Sequence, residues 1–258
     1  YIPNAKTIID YAEDKQLPIR QRLTLFALVC NAVQHGHLKG IVHRDLKPGN
    51  ILVDTLGQPR IIDFGVARST DSDMAVTTLG TRVGQLIGTL QYMSPEQCES
   101  DPSDIDTRSD LYSLGVILYE LLTGVLPYKV AGEAMHEVVR IVQEQKPPQL
   151  STNDRDLRWD IQTIMLMALQ KDRDRRYQSA TALEEDILRY LAGEPIAARR
   201  PSTWYHLKSF ADRNSGAAAA IVVTFRILAV AVVAILVFAI SEASQRRIAD
   251  EANINAQQ

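Results

Sequence analysis

The sequence predicts an α+β domain that is mainly α-helical and is followed by a single transmembrane helix. Three observations predict this fold class. Helical periodicity lies on both sides of a hairpin pattern, one central helix is apolar on nearly every side, and one long apolar run lies near the end of the chain. With 258 residues the chain has room for one large domain or two small ones.

The first element is a helix predicted over residues 18–39, with Pro18 near its start. Apolar residues recur there at spacings of three and four, which places them on one face: Leu23, Phe26, Cys30 and Val33. Further on, the short apolar runs "NILV" and "RIID" are separated by a "TLGQ" turn, a pattern typical of a β-hairpin. Residues 69–92 are rich in Ser, Thr and Gly without an apolar period, which predicts a long functional loop.

The second half of the domain is predicted to be helical. "SDLYSLGVILYELLTG" is apolar on nearly every side and ends at Gly124, as expected for a buried central helix. Residues 133–145, 157–170 and 179–192 have the pattern of three amphipathic helices. We therefore place the end of the domain, residues 1–192, at the last of these helices.

A polar linker over residues 193–216 leads to an apolar run over residues 217–240, in which Arg226 is the one charged residue. A helix of that length spans ~36 Å at about 1.5 Å per residue, enough to cross a hydrocarbon core of roughly 30 Å. The alternative is a buried helix of a soluble domain, but the run is more apolar than most such helices. Residues 241–258 are then the start of a helical extracytoplasmic region.

Basic residues are more frequent before the apolar run than after it, which favours a cytoplasmic N-terminal side. Those before the run are Arg199, Arg200, Lys208 and Arg213, and those after it are Arg246 and Arg247. We therefore expect a single-pass protein of the cell membrane, with the folded domain in the cytoplasm and the lipid bilayer as a partner of residues 217–240.

The composition excludes some functions. The chain is 46% hydrophobic and 23% charged, and its net charge of −3 gives no reason to expect nucleic-acid binding. Cys30 and Cys98 cannot make a disulfide framework and do not have metal-ligand spacing. We interpret Cys30 as a core residue.

The stretch "IVHRDLKPGNILVD" concentrates polar groups between two apolar runs. One of the carboxylates of Asp45 and Asp63, the second of which lies beyond the hairpin, could orient and deprotonate a hydroxyl group, and Lys47 could neutralise charge on a phosphoryl group. An amide oxygen from Asn50 with the other carboxylate would suit Mg²⁺, which keeps phosphate oxygens as its other ligands. Phosphoryl transfer needs all of these groups together.

These motifs resemble those of eukaryotic-type protein kinases, as found in bacterial serine/threonine kinases. "HRDLKPGN" is similar to the catalytic loop, and "DFG" at 63–65 is similar to the metal-binding motif. "GTLQYMSPEQ" resembles the end of the activation segment, with "SPE" where the family usually has "APE". The central helix and "KDRDRRYQSA" follow in the family's order, so residues 1–192 resemble the large lobe of a kinase-like fold.

The resemblance implies roles for individual residues. Asp45 would be the catalytic base, Lys47 would contact the phosphate, and Asn50 and Asp63 would hold Mg²⁺ for ATP. Asp110 would support the backbone of the catalytic loop, and Arg176 would pair with Glu96. The cofactors implied are ATP and Mg²⁺, and the implied partners are proteins that present Ser or Thr hydroxyls.

Arg44, directly before Asp45, is typical of kinases regulated by phosphorylation of the activation loop. Thr77, Thr78 and Thr81 lie where that phosphate would be added, although a solvated loop explains each of them equally well. Thr89 would lie beside Asp45, and self-association would permit autophosphorylation in trans. We expect His43 to pack rather than titrate, and His35 and His37 to have core or capping roles.

The resemblance begins after the point at which the two lobes of a kinase meet. No G-x-G-x-x-G motif and no "VAIK"-like strand precedes residue 41. We expect a truncated membrane-anchored kinase, inactive in the form of these residues alone. The alternatives are a non-catalytic docking or scaffold module at the membrane and a small-molecule phosphotransferase of the kinase-like superfamily. The activation segment through "SPEQ" argues against the phosphotransferase.

Overall fold

The computed structural model describes residues 3–64, 90–98, 105–130, 133–150 and 157–199. All of them belong to the N-terminal unit of the chain, which ends at Pro201. The predicted phosphate-acceptor threonines, Thr89 and the apolar run 217–240 lie outside these ranges. Within the described part, a mainly helical domain with a small antiparallel sheet is confirmed.

The described residues contain six α-helices and one three-stranded sheet. The helices are α1 (Ile8–Asp14), α2 (Ile19–Leu38), α3 (Thr107–Thr123), α4 (Met135–Glu144), α5 (Gln162–Ala168) and α6 (Ala180–Ala192). The strands are β1 (Lys6–Thr7), β2 (Ile51–Val53) and β3 (Pro59–Ile61), in that order across the sheet. Both pairings are antiparallel, with Lys6 opposite Val53 and Ile51 opposite Ile61.

The predicted helix over 18–39 is confirmed as α2, which Pro18 precedes as N-cap. The four residues assigned to its inner face are fully buried: Leu23, Phe26, Cys30 and Val33. The face packs against α6 and the hairpin. Asn31 and Gln34 of α2 add polar contacts to α6, where they meet Glu184 and the backbone of Thr181.

The predicted hairpin is confirmed as β2 and β3. Its turn is held by the side chain of Asp54, which accepts hydrogen bonds from the backbone N–H groups of Leu56 and Gln58 at 2.9 and 3.0 Å. Gly57 has φ 80°, a left-handed conformation that glycine adopts without steric cost. β1 was not predicted, since a two-residue strand has no measurable alternation.

Helix α3 lies at the centre of the lobe and is buried nearly all round, as predicted. Asp106 caps its N-terminus by accepting from the Arg108 backbone N–H at 2.7 Å. At its other end Gly124 has φ 74° and stops the helix, also as predicted. A glycine inside it, Gly115, allows close contact with α5, because an added Cβ would lie 2.9 Å from that of Ala168.

The other helices differ from prediction at their ends. α4 and α6 begin within two residues of the predicted positions. The continuous helix predicted for 157–170 was partly wrong: Leu157–Ile161 form a wider π-helical turn, and α5 follows it. A π-helical turn, with i→i+5 hydrogen bonds, is rare and usually limited to a single turn inside a helix, and the apolar pattern of the sequence did not predict it.

Candidate active site

The loop between α2 and β2 brings three of the predicted catalytic residues into contact. The Lys47 Nζ atom lies 3.0 Å from Asp45 Oδ2. The amide nitrogen of Asn50 donates to the Asp45 carbonyl oxygen at 2.7 Å and lies 3.3 Å from Asp45 Oδ2. Asn50 is buried in the short 3₁₀ turn Pro48–Asn50, whereas the side chains of Asp45 and Lys47 retain access to solvent.

The side chains of Asn50 and Asp63 fit a magnesium ion. Since the amide nitrogen of Asn50 is bound to the Asp45 carbonyl, the amide oxygen is the end left to act as a ligand. The Ile62 N–H donates to the Asn50 carbonyl at 3.0 Å, so Asp63 comes one residue after that contact. Asp63 is exposed. One amide oxygen and one carboxylate suffice for Mg²⁺, which completes its octahedron with phosphate and water oxygens.

No group of three or more His, Cys, Asp or Glu side chains in the described ranges could hold a metal ion.

The backbone of the loop is held by Asp110, near the start of α3. Its two carboxylate oxygens accept from the N–H groups of His43 and Arg44, each at 2.8 Å. Arg44 has φ 65°, a left-handed conformation that is unfavourable for a residue with a side chain. Hydrogen bonds to a buried carboxylate stabilise this conformation, because charge-assisted bonds are stronger than neutral ones.

Two histidines complete the support of the loop. The His43 ring is fully buried, contacts the Ile62 carbonyl at 2.9 Å, and lies 5.0 Å from the Phe64 ring. It packs, as we expected. His37 is more important than the sequence suggested, because its Nε2 atom lies 2.8 Å from Asp110 Oδ2. His37 and Asp110 are 73 residues apart, and no local pattern connects them.

A second charged cluster lies beneath the "SPE" segment. Arg176 makes two hydrogen bonds to Glu96, at 2.6 and 2.7 Å, and both side chains are buried. Ser109 donates to the same carboxylate at 2.8 Å. Burial alone would raise the pKa of Glu96, but hydrogen bonds from Arg176 and its positive charge outweigh burial, so that the pKa lies below its usual range.

Two further contacts of this segment were not predicted. The Gln97 amide nitrogen donates to the Arg44 carbonyl at 2.6 Å and so joins the "SPEQ" segment to the catalytic loop. The Tyr92 hydroxyl donates to Glu120 of α3 at 2.7 Å. The sequence could have indicated only that the polar side chains of Tyr92 and Gln97 need hydrogen-bond partners if they are buried. It could not have identified those partners.

None of the helices in the described ranges combines the length and apolar character needed to span a membrane. The threonines predicted to receive phosphate, Thr77, Thr78 and Thr81, and the substrate-positioning Thr89 lie outside those ranges. Their roles stay predictions.

A carboxylate that contacts a lysine and an asparagine, with a second carboxylate beyond a hairpin, is an arrangement typical of the protein kinase class of phosphoryl-transfer enzymes. A family model for the protein kinase domain matches residues 3–188. The chain belongs to the protein kinase family.

The curated relatives carry the names of bacterial kinases. The chain is 36% identical over 190 residues to serine/threonine-protein kinase PknB of Mycobacterium leprae, which is 74% of this chain and 29% of the relative. It is 40% identical over 185 residues to the probable serine/threonine-protein kinase SCO3848 of Streptomyces coelicolor, 71% of this chain and 26% of the relative. It is 39% identical over 171 residues to a probable PknB of Bifidobacterium longum, 66% of this chain and 24% of the relative. The match therefore spans less than a third of the length of these relatives.

Proposed function

We propose that these residues form the large lobe of a serine/threonine protein kinase that transfers the γ-phosphoryl group of ATP to protein hydroxyl groups. The observation that carries the proposal is the contact of both Lys47 and Asn50 with Asp45. Such a constellation puts a base, a cation and a metal-binding amide around one reacting centre.

In this mechanism Asp45 accepts a hydrogen bond from the substrate Ser or Thr hydroxyl and aims its oxygen at the γ-phosphorus. The new P–O bond forms as the bond to the β,γ-bridging oxygen breaks, and the hydroxyl proton passes to Asp45. Lys47 offsets negative charge on the transferred group. Mg²⁺, bound by Asn50 and Asp63, would supply electrostatic stabilisation of the phosphate oxygens.

The roles assigned to the threonines of the activation segment and to the apolar run predict regulation at a membrane. Phosphate on Thr77, Thr78 or Thr81 would pair with Arg44 and order the activation segment, with Thr89 close to Asp45. A second copy of the chain would add that phosphate in trans. The apolar run 217–240 supports a single-pass membrane anchor with residues 1–192 on the cytoplasmic side, 193–216 as linker and 241–258 beyond the membrane.

The test uses the gene product as its own cell makes it, isolated through an epitope tag. Transfer of labelled γ-phosphate to a generic Ser/Thr protein substrate is measured for the wild type and for Asp45→Asn. We expect the substitution to lower kcat by about 10²–10⁴-fold, the range for loss of a general base. The matched control is Asp14→Asn, which removes a carboxylate of α1 whose exposed ion pair with Lys6 lies far along the chain from the loop.

Equal transfer by the wild type and Asp45→Asn would contradict the proposal. Absence of transfer from both, with partner proteins still retained on the isolated chain, would favour the docking or scaffold function.

A further inference from the structure

The structure contains an ordered segment just beyond the last helix, in the range that the sequence assigns to a linker. We call residues 194–199 the C-terminal clasp. They follow the end of the family match at residue 188. Gly193, with φ 71°, ends α6, and the Glu194 N–H donates to the Arg189 carbonyl at 2.8 Å. This turn directs the chain back toward the lobe.

The clasp is bound by the side chain of Asp186, which is fully buried in α6. Asp186 Oδ1 accepts from the Ala197 N–H at 2.6 Å, and Oδ2 accepts from the Ala198 N–H at 2.8 Å. A buried carboxylate without partners is costly, so these backbone donors are part of what allows an acidic residue at that position.

Tyr177 is the third donor to the same carboxylate, with its hydroxyl 2.8 Å from Asp186 Oδ2. Burial, together with the negative charge of Asp186, raises the pKa of Tyr177 well above its ordinary value, so its hydroxyl keeps the proton that it donates. Arg189 also approaches, with its guanidinium 3.4 Å from Asp186 Oδ1. Tyr177 directly follows Arg176, the partner of Glu96. Asp186 therefore connects the clasp to the chain segment that binds Glu96 of the "SPE" motif.

Two further contacts hold the clasp on either side of these hydrogen bonds. The Ile196 side chain is almost completely buried, with 3% of the residue exposed. At the far end, the guanidinium of Arg199 lies 2.9 Å from Asp160 Oδ1, in the π-helical turn before α5. Apolar burial, backbone hydrogen bonds and an ion pair therefore act together within a stretch of six residues.

We propose that the C-terminal clasp is an integral part of the folded lobe, closed by Asp186, so that the lobe extends through Arg199 rather than ending at residue 192. This inference does not depend on the proposed kinase activity.

The test is peptide-resolved hydrogen–deuterium exchange on the full chain, comparing the wild type with Asp186→Asn and Ile196→Asp. The first substitution removes one acceptor, and the second introduces a charge at a buried position of the clasp alone. We expect clasp amides to exchange at least about tenfold faster in both variants, because their opening no longer breaks the full set of contacts. The matched control, Glu144→Gln, changes an exposed acid at the end of α4 and should leave the exchange rates of the clasp unchanged.

Amides of α2 report on the lobe itself in the same experiment. If Asp186→Asn accelerates exchange in α2 as well, that substitution has unfolded the lobe. The exchange rates of the clasp in Ile196→Asp then provide the test of the proposal. Wild-type clasp amides that exchange as fast as those of an unstructured peptide would overturn the proposal. So would clasp rates that Ile196→Asp leaves unchanged.

Discussion

The side chains of Asp45 and Lys47 are 31% and 30% exposed, whereas those of Glu96 and Arg176 are 9% and 0% exposed. Both clusters pair an acid with a base, but their surroundings differ. Arg176 donates to Glu96 and also to the carbonyls of Gln170, Arg108 and Lys171 at 2.6, 2.8 and 3.0 Å. The buried cluster is therefore completed within the lobe, while the candidate catalytic cluster is partly exposed to the solvent from which a substrate would come.

The difference in exposure separates the charges that stabilise the fold from the charges that are available for chemistry. A buried, fully bonded pair becomes costly when one partner is removed, because the other charge is left without compensation. A partly exposed pair contributes little to stability. Substitutions in the buried cluster should therefore mainly lower stability, and substitutions in the partly exposed cluster should mainly lower activity.

The largest effect on stability is expected for Arg176→Met, which leaves Glu96 charged and buried. We expect the free energy of unfolding to fall by about 3–5 kcal/mol, measured by urea denaturation at pH 7. The double variant with Glu96→Gln should recover part of that loss, because it also removes the stranded charge. A loss of less than about 1 kcal/mol for the single variant would show that the pair is not a stabilising element.

Asp63 is an exposed residue of the candidate site, and Asp63→Asn should lower activity more than stability. If Asp63 binds magnesium as proposed, kcat of the intact gene product should fall by about 10²-fold or more, because a magnesium ligand is weakened. The free energy of unfolding should change by less than about 0.5 kcal/mol, since Asp63 is exposed. Its φ of 55° suits asparagine at least as well as aspartate. A large stability loss with normal kcat would make Asp63 a structural residue.

A smaller, pH-dependent effect is expected at Lys171, whose ammonium group contacts the Tyr112 and Tyr128 hydroxyls at 3.1 and 2.8 Å and also the Val142 carbonyl. Burial and the charge of Arg176 lower the pKa of Lys171 to about 8. Between that value and the ordinary lysine pKa near 10.5, the unfolded chain binds more protons than the folded one, so stability rises with pH.

The measurement compares the wild type with Lys171→Met, in which the titrating ammonium group is absent while the two tyrosines are retained. From pH 8 to about pH 10, the stability of the wild type should rise relative to the variant by about 1 kcal/mol, after allowance for screening by solvent. A difference that stays constant or falls with pH would refute the assignment of the lowered pKa to Lys171.

The smallest effect is expected for the exposed ion pair between Lys6 and Asp14, whose charged atoms are 3.0 Å apart. Lys6→Ala should change the free energy of unfolding by less than about 0.5 kcal/mol, and added salt should reduce the difference further. A larger loss would mean that exposed pairs matter here as well, which would weaken the contrast between the two clusters.

The sequence by itself determined the elements that have a local signal. The three- and four-residue spacing on α2, the turn residues of the hairpin and the left-handed glycine after α3 are all short-range features, and each predicts its element. Three of the four residues of the candidate site also follow one another closely, because Asp45, Lys47 and Asn50 occupy a single loop. Since a loop of six residues keeps its side chains near one another, the sequence alone predicts that these three groups act together.

Only the tertiary structure decided which distant groups meet. The contact of His37 with Asp110 joins residues 73 apart, and that of Gln97 with Arg44 joins residues 53 apart. The binding of the clasp by Asp186 depends on the direction in which the chain turns after Gly193. Periodicity and turn propensity describe a few neighbouring residues, whereas these contacts depend on how whole helices pack, which is set by the burial of apolar faces across the entire lobe.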